Sequence, residues 1–167
     1  MIKNISIILT LILLVSCGGK PPPKASGGKF YETTISQDEG KIIIYRDANW
    51  LTADKRATVI LSGYAVGCLQ HKNYVETIVK PGTHGITIGK GDCGPLWGFD
   101  PIGINVKVAE GETKYIKMEI KEFGSAGIIT PWLVTWNNEV RLSEVSESEA
   151  KSKLVDLKRF LASDLNN

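Results

Sequence analysis

Cysteine, histidine and aspartate side chains offer this sequence its widest choice of chemistry. Cys68 and Cys93 lie 25 residues apart, and His71, His84 and Asp92 lie between them. Thiolate, imidazole and carboxylate groups are all zinc ligands, so a metal-dependent or thiol enzyme is one hypothesis. The chain lacks the CxxC and HxxxH spacings typical of metal sites. We therefore predict no metal site, which leaves a disulfide, two free thiols or an intermolecular bridge.

Aromatic residues offer a second kind of chemistry, the recognition of a ligand. Leu96, Trp97 and Phe99 lie in a glycine-rich connection at residues 89–100, and Trp132 and Trp136 lie four residues apart. Exposed rings in a loop can anchor a protein or stack on a sugar. Packing is the interpretation we favour: Trp97 would cap one end of the domain with Cys93 pinning the loop, and the other two tryptophans would share a buried face.

Other arrangements that support catalysis are missing from the sequence. The chain has no GxSxG motif, and the glycine-rich residues 124–127 lack the Lys-Ser/Thr of a phosphate-binding loop. His84 has no triad partner nearby, so we expect it to fix the turn after Pro81. Arg46 ends an apolar strand, where its guanidinium needs a carboxylate or backbone carbonyls, and we expect a structural ion pair. We predict no catalytic residue and no cofactor.

The N-terminal residues predict an export signal. Lys3 precedes an almost unbroken apolar run at residues 5–15, which is too short to span a bilayer as a helix. The following Leu14-Val15-Ser16-Cys17 resembles the lipobox of bacterial lipoproteins, in which the cysteine is acylated and becomes the first mature residue. An ordinary secretory signal is the alternative. Gly18 stands where this family's inner-membrane proteins carry Asp, so the resemblance implies the outer membrane, facing the periplasm.

Export also bears on the remaining two cysteines. Residues 18–30 contain three consecutive prolines and two glycine pairs, a composition typical of an extended tether. A tethered domain outside the cytoplasm folds in an oxidising compartment, where thiols pair. We therefore predict a Cys68–Cys93 disulfide.

The central part of the sequence predicts short strands separated by turns. Ser62-Gly63 and Lys80-Pro81-Gly82 are turn sequences between apolar segments. Residues 128–136 include Pro131 and are interpreted as an edge strand or a covering segment. The remaining predicted strands are residues 41–46, 57–61, 64–69, 74–79, 83–88, 102–108 and 115–121.

A change of period near the C-terminus predicts a helix. Ser146 and Glu149 have the form of a capping box, which predicts a start near Glu147. The apolar stripe consists of Ala150, Leu154, Leu157, Phe160 and Leu161. We expect this stripe to pack on the protein's own sheet, with partner binding or membrane contact as alternatives.

Several short motifs together resemble a family of domains of unknown function found mostly in bacterial lipoproteins. They are Ile44-Tyr45-Arg46, the turn at Gly63 with Gly67 and Leu69, Tyr74, Pro81-Gly82-Thr83-His84, and Gly111 with Tyr115. The resemblance covers about residues 40–121. It implies a small β-sandwich and no established enzymatic activity or catalytic residue.

The expected organisation is a lipoprotein signal peptide at residues 1–16, a lipidated tether at 17–30, a β-domain at 31–142, and an amphipathic helix with its tail at 143–167. The predicted fold is mainly β, an antiparallel sandwich in immunoglobulin-like or prealbumin-like style. With 20 basic and 18 acidic residues, a nucleic-acid partner is not expected. The expected function is a non-catalytic, lipid-anchored envelope module that binds a protein. A carbohydrate- or peptidoglycan-binding module is the main alternative.

Overall fold

Two β-sheets and one short helix form the domain. The computed structural model describes residues 25–49, 52–94, 97–123 and 137–165. Its strands are β1 (Gly40–Arg46), β2 (Ala57–Leu61), β3 (Tyr64–Leu69), β4 (Asn73–Val79), β5 (Gly82–Gly89), β6 (Ile102–Val108), β7 (Thr113–Phe123), β8 (Asn137–Val145) and β9 (Lys158–Phe160). Helix α1 (Glu147–Leu154) lies between β8 and β9, and a 3₁₀ turn (Ala162–Leu165) follows β9.

The strands are divided between a five-stranded sheet of order β8-β7-β1-β4-β9 and a four-stranded sheet of order β3-β2-β5-β6. The described fold is thus mainly β, as the sequence predicts. The antiparallel prediction holds for five strand pairings and fails for two, because β1 pairs with β7, and β4 with β9, in parallel. The chain crosses from β6 in the four-stranded sheet to β7 in the five-stranded sheet, and this crossover sets the direction of β7. No local sequence pattern predicts such a crossover.

An inner core lies between the two sheets. Alternation along each strand directs one row of apolar side chains into it. The five-stranded sheet contributes Ile42, Ile44, Val75, Ile116, Met118, Ile120 and Phe160, and the four-stranded sheet contributes Val59, Leu61, Leu69, Ile86, Ile88, Val106 and Val108. This interlayer packing makes the domain a β-sandwich in its broad architecture.

An outer core covers the opposite face of the five-stranded sheet. Helix α1 supplies Ala150 and Leu154, and Leu157 follows it. They pack on the sheet residues Ile43, Tyr45, Tyr74 and Tyr115. Every residue of β1 is consequently buried, because both faces of this central strand are covered.

Most predicted strands agree with the structure to within two residues. The Ser62-Gly63 turn has two positive φ angles, 49° and 91°, as a tight hairpin turn requires. Two strands, β8 and β9, have no counterpart among the predicted strands. β8 extends beyond residue 142, where the predicted β-domain ended, and β9 lies inside the predicted helix.

The predicted C-terminal helix is correct at its start and wrong at its end. The side chain of Ser146 accepts a hydrogen bond from the N–H of Glu149, as a capping residue does. The helix stops at Leu154, and the chain turns so that Phe160 pairs in register with Val75 of β4. Leu157 and Phe160 are buried in different cores, so their helical spacing has no helical cause.

Within the described ranges, no helix has the length and apolar character needed to cross a bilayer.

Close packing between β3 and the five-stranded sheet makes Gly67 a sensitive position. A methyl group there would lie 2.8 Å from Cγ2 of Val75 and 3.1 Å from Cδ1 of Phe160. We expect Gly67→Ala to lower the free energy of unfolding by about 1–3 kcal/mol through overpacking, measured by urea denaturation. Gly98→Ala is the matched control, because its methyl group would have no neighbour within 4 Å. Equal stability of the two variants would contradict the expectation.

Candidate functional site

Cys68 and Cys93 form a disulfide, as the sequence predicts. Their Cα atoms lie 5.6 Å apart, and both residues are buried in the inner core. The N–H of Cys93 donates to the hydroxyl of Thr58 at 3.2 Å. The bond therefore joins the end of β3 to the connection between β5 and β6.

The same connection contains Trp97, which lies in the core instead of on the surface. Only 4% of Trp97 is exposed, and its ring meets Phe99 edge to face with centroids 4.9 Å apart. Trp97 consequently has no exposed face for a ligand, which agrees with the favoured interpretation that its ring packs into the domain. Phe99 is partly buried against the inner core.

Several predicted site residues lie outside the described ranges. They are Cys17, Leu96, Trp132 and Trp136, together with the segment 128–136 predicted as an edge strand. Their assignments as the lipidated residue, the binding anchors and an edge segment stay predictions.

The residues considered as metal ligands are not brought together. Cys68 and Cys93 are bonded to each other, Asp92 is exposed, and the Nδ1 atom of His71 is buried without a hydrogen-bond partner. His84 Nε2 lies 2.8 Å from the Lys80 carbonyl oxygen, so this imidazole fixes the turn, as expected. Across the described ranges, no group of three or more His, Cys, Asp or Glu residues is placed to hold a metal ion.

Arg46 binds backbone oxygens instead of forming the predicted ion pair. The guanidinium is buried and donates to the Thr52 carbonyl, to the Thr52 hydroxyl at 2.7 Å and to the Lys55 carbonyl at 2.6 Å. Burial lowers the pKa of Arg46 to about 10, against the opposing charge of Asp54. The side chain stays charged at neutral pH and ties residues 52–55 to the end of β1. These carbonyls replace a carboxylate because the loop brings them within reach.

The N-terminal residues 25–33 lie against the domain, and we call them the N-terminal strap. The sequence analysis assigned residues 25–30 to the tether. Gly27 donates its N–H to the Arg159 carbonyl at 3.0 Å, and Arg159 returns an N–H to the Gly28 carbonyl at 3.1 Å. These bonds, with an antiparallel bridge between Lys29 and Lys158, place the strap beside β9.

Asp164 holds the first part of the strap. Its carboxylate accepts hydrogen bonds from the hydroxyl and the N–H of Ser26, and from the N–H of Leu161 at 2.9 Å. Burial acts to raise the pKa of Asp164, but the three hydrogen bonds outweigh it and hold the pKa below its usual value. The ionised carboxylate therefore links the start of the described chain to its C-terminal turn.

Thr33 holds the last part of the strap between two buried charges. Its hydroxyl donates to Glu76 Oε1, and its carbonyl accepts from Lys41 Nζ. The Glu76 side chain is only 1% exposed and also accepts from the Arg159 guanidinium at 3.2 Å. Because a buried charge is costly unless it is paired, the strap satisfies groups that would otherwise lose partners.

Aromatic and ionic contacts cover the middle of the strap. Phe30 meets Tyr74 edge to face with centroids 5.6 Å apart, and Arg159 lies 5.8 Å from the centre of the Tyr31 ring. Glu32 pairs with Lys151 of α1 at 2.9 Å on the exposed surface, where an ion pair contributes little. The strap and α1 thus form a common layer over the five-stranded sheet.

The chain matches no protein-family model, and no curated protein matches it significantly. The resemblance to a lipoprotein domain family consequently stays a proposal, and the function is argued below from the residues and their geometry.

Sequence reasoning missed the residues that hold the strap. Lys41 and Glu76 are charged positions inside apolar strand segments, which is a signal that each needs a buried partner. Asp164 gives a weaker indication of a buried partner, because it lies in the tail after the predicted helix and not inside an apolar strand segment. Their partners lie 8, 43 and 138 residues away in the chain, so the pairing itself has no local signature.

The disulfide provides a stability test. Reduction of the Cys68–Cys93 bond should lower the free energy of unfolding by about 3 kcal/mol, because the open 25-residue loop gains conformational freedom in the unfolded chain. The measurement is urea denaturation with and without dithiothreitol. A Cys68→Ala, Cys93→Ala double variant is the control and should be indifferent to the reductant. An unchanged midpoint for the fully reduced natural chain would refute the expectation.

Asp164 provides a pH test. Because its folded pKa is depressed, its contribution is full above pH of about 4, near the unfolded value, and is lost as the pH falls through the folded pKa. We expect Asp164→Asn to destabilise the domain at pH 7 by about 1–3 kcal/mol, with the difference narrowing toward pH 2. Chemical denaturation at each pH measures it, and Asp156→Asn on the exposed surface is the control. A gap that does not depend on pH would contradict the role of the carboxylate.

Proposed function

We propose that this protein is a lipid-anchored protein of the bacterial envelope whose β-domain acts as a non-catalytic binding or accessory module. The observation that carries the proposal is the lipobox-like Leu14-Val15-Ser16-Cys17, followed by a proline-rich segment that leads directly to the strap. One acyl chain gives only marginal membrane binding, whereas several together anchor a protein stably. The mature chain begins at Cys17 and is held on the membrane by its lipid.

The strap supports this arrangement mechanically. Its first described residues are bound by Asp164 and by backbone pairing with β9. Tension on a tether would therefore act on a segment with several hydrogen bonds instead of on a free end. Between Cys17 and Ala25 the chain has seven residues, which in a polyproline conformation span about 22 Å. The domain stays within a short distance of the membrane.

The disulfide supports placement outside the cytoplasm. Thiols persist in the cytosol because they are kept reduced there, whereas disulfides form in the periplasm and beyond. A buried Cys68–Cys93 bond suits that compartment. Gly18 after the lipobox cysteine favours the outer membrane, with the domain facing the periplasm.

The structural roles of the polar side chains support a non-catalytic function. Arg46, His84 and Asp164 each bind backbone groups and thereby hold a loop, a turn or the strap in place. Burial raises the pKa of Tyr45 and of Tyr74 to about 12, so neither phenol ionises near neutral pH. These groups position the chain, and an envelope protein partner is the ligand we propose.

The two competing functions meet specific obstacles. A thiol enzyme would need Cys68 or Cys93 released from the disulfide. A carbohydrate- or peptidoglycan-binding surface built on Trp97 would need that ring turned out of the core. Within the proposal, the finer fold assignment is a sandwich in the immunoglobulin-like or prealbumin-like style, with parallel pairings as its departure from a purely antiparallel one.

Substitution of the lipobox cysteine tests the proposal. The natural chain should be found in the membrane fraction, with a lipid-modified Cys17 as its first residue, because acyl chains partition into the bilayer. Cys17→Ser should abolish the modification and the membrane retention. The measurements are detergent-dependent fractionation and mass spectrometry of the N-terminal peptide.

The control for this test is a Cys68→Ala, Cys93→Ala double variant, which should remain membrane-bound. A natural chain that is soluble and has an unmodified Cys17 thiol would overturn the proposed anchoring. Density separation of the two membranes tests the outer-membrane assignment.

A further inference from the structure

A groove opens at the edge of the sandwich where β9 ends. β9 pairs with β4 only at residues 73–75, and no other described strand pairs with residues 76–79 on that side. The groove has a volume of about 430 Å³ and is mainly apolar. We call it the edge groove, and its walls include Val66, Glu76, Ile78, Arg159, Phe160 and Leu161.

The direction of the strap leads the chain toward this groove. β9 runs parallel to β4, and the strap runs antiparallel to β9. Read from Lys29 back to Ala25, the strap therefore runs in the same direction as β4. It passes the end of β9 at Phe160 and continues in the direction in which residues 76–79 of β4 run. Ser26 shares the Asp164 carboxylate with Leu161, a wall of the groove, and Ala25 packs on the inner core. The preceding segment joins the domain at the open end of β9.

The length and composition of that segment suit the groove. Residues 20–24 are Lys-Pro-Pro-Pro-Lys. Five residues in a polyproline conformation span about 15 Å, and the four residues 76–79 of a strand span about 13 Å. Prolines lack the N–H needed to extend a sheet, but a preformed polyproline helix packs its rings into apolar grooves at a small cost in entropy. Ile78, at 49% exposed, offers such a surface.

The charge of the groove also suits this segment. Glu76 Oε2 is buried and has no hydrogen-bond partner among the described residues. Lys24 directly precedes Ala25 and carries an ammonium group that can donate to a carboxylate. An unpaired buried carboxylate oxygen is unfavourable, so an adjacent ammonium would stabilise both groups.

We propose that residues 20–24 of this chain dock in the edge groove, with the proline rings against Ile78 and Leu161 and Lys24 beside Glu76. The tether is then held on the domain surface, and only Gly18 and Gly19 separate the docked segment from Cys17. If Cys17 is lipidated, as proposed above, docking brings the edge of the sandwich close to the membrane. The docking itself does not depend on the lipid.

Photo-cross-linking in the full-length exported protein tests the docking. A benzophenone side chain replaces Pro22, and cross-linked peptides are mapped by mass spectrometry. We expect cross-links within one chain, concentrated at Val66, Ile78 and residues 160–161. Ile78→Gln should reduce their yield several-fold, because it removes apolar surface from the groove. Val155→Gln is the matched control: this aliphatic residue is similarly exposed, at 54%, but lies after α1, outside the groove, and its substitution should leave the yield unchanged.

Three results would overturn the proposal. Cross-links between two copies would assign the groove to a second molecule, and cross-links to lipid would assign it to the membrane surface. Cross-links scattered over the domain, or a yield insensitive to Ile78→Gln, would show that the segment does not dock. The mass of the N-terminal peptide in the same sample reports lipidation of Cys17 separately, so failure of the docking and failure of the anchoring are distinguishable.

Discussion

Burial of β1 on both faces is the constraint on which the structure depends. Its seven residues are all buried, and they include the cations Lys41 and Arg46 at its two ends. A single packing layer can cover only one face of the strand. The domain therefore needs the four-stranded sheet on one side and the strap with α1 on the other. A strand buried on both sides usually belongs to a layered α/β domain. Here an irregular segment and a short helix provide the second cover.

The charged ends of β1 explain why particular loops lie where they do. Arg46 can be buried only because residues 52–55 turn their oxygens toward it. Lys41 likewise depends on Thr33, because it donates to the Thr33 carbonyl. The Thr33 hydroxyl in turn donates to Glu76. In each case a buried charge selects a loop conformation, since a desolvated ion without partners is far less stable than a hydrogen-bonded one. These polar groups specify the packing of segments that have no regular secondary structure.

The strap gives this organisation a functional meaning. It connects the proposed membrane anchor to the domain, and it closes the outer core beside α1 through Phe30 and Tyr74. Asp164 and Ser26 bring the two ends of the described chain together, although 138 residues separate them. The proposed anchor and the outer core are therefore connected through the strap.

Local sequence patterns determined most of the strands, the turn at Ser62-Gly63 and the start of the helix at Ser146, because these depend on alternation, positive φ angles and capping within a few residues. The pairing of Cys68 with Cys93 followed from the number of cysteines and the predicted compartment. Tertiary structure alone decided that β7 runs parallel to β1 and that Leu157 and Phe160 leave the helix. It also decided the partners of Arg46, Glu76 and Asp164. Each of these outcomes depends on groups distant in the chain that compete for one buried position, and such competition is resolved only when the layers pack.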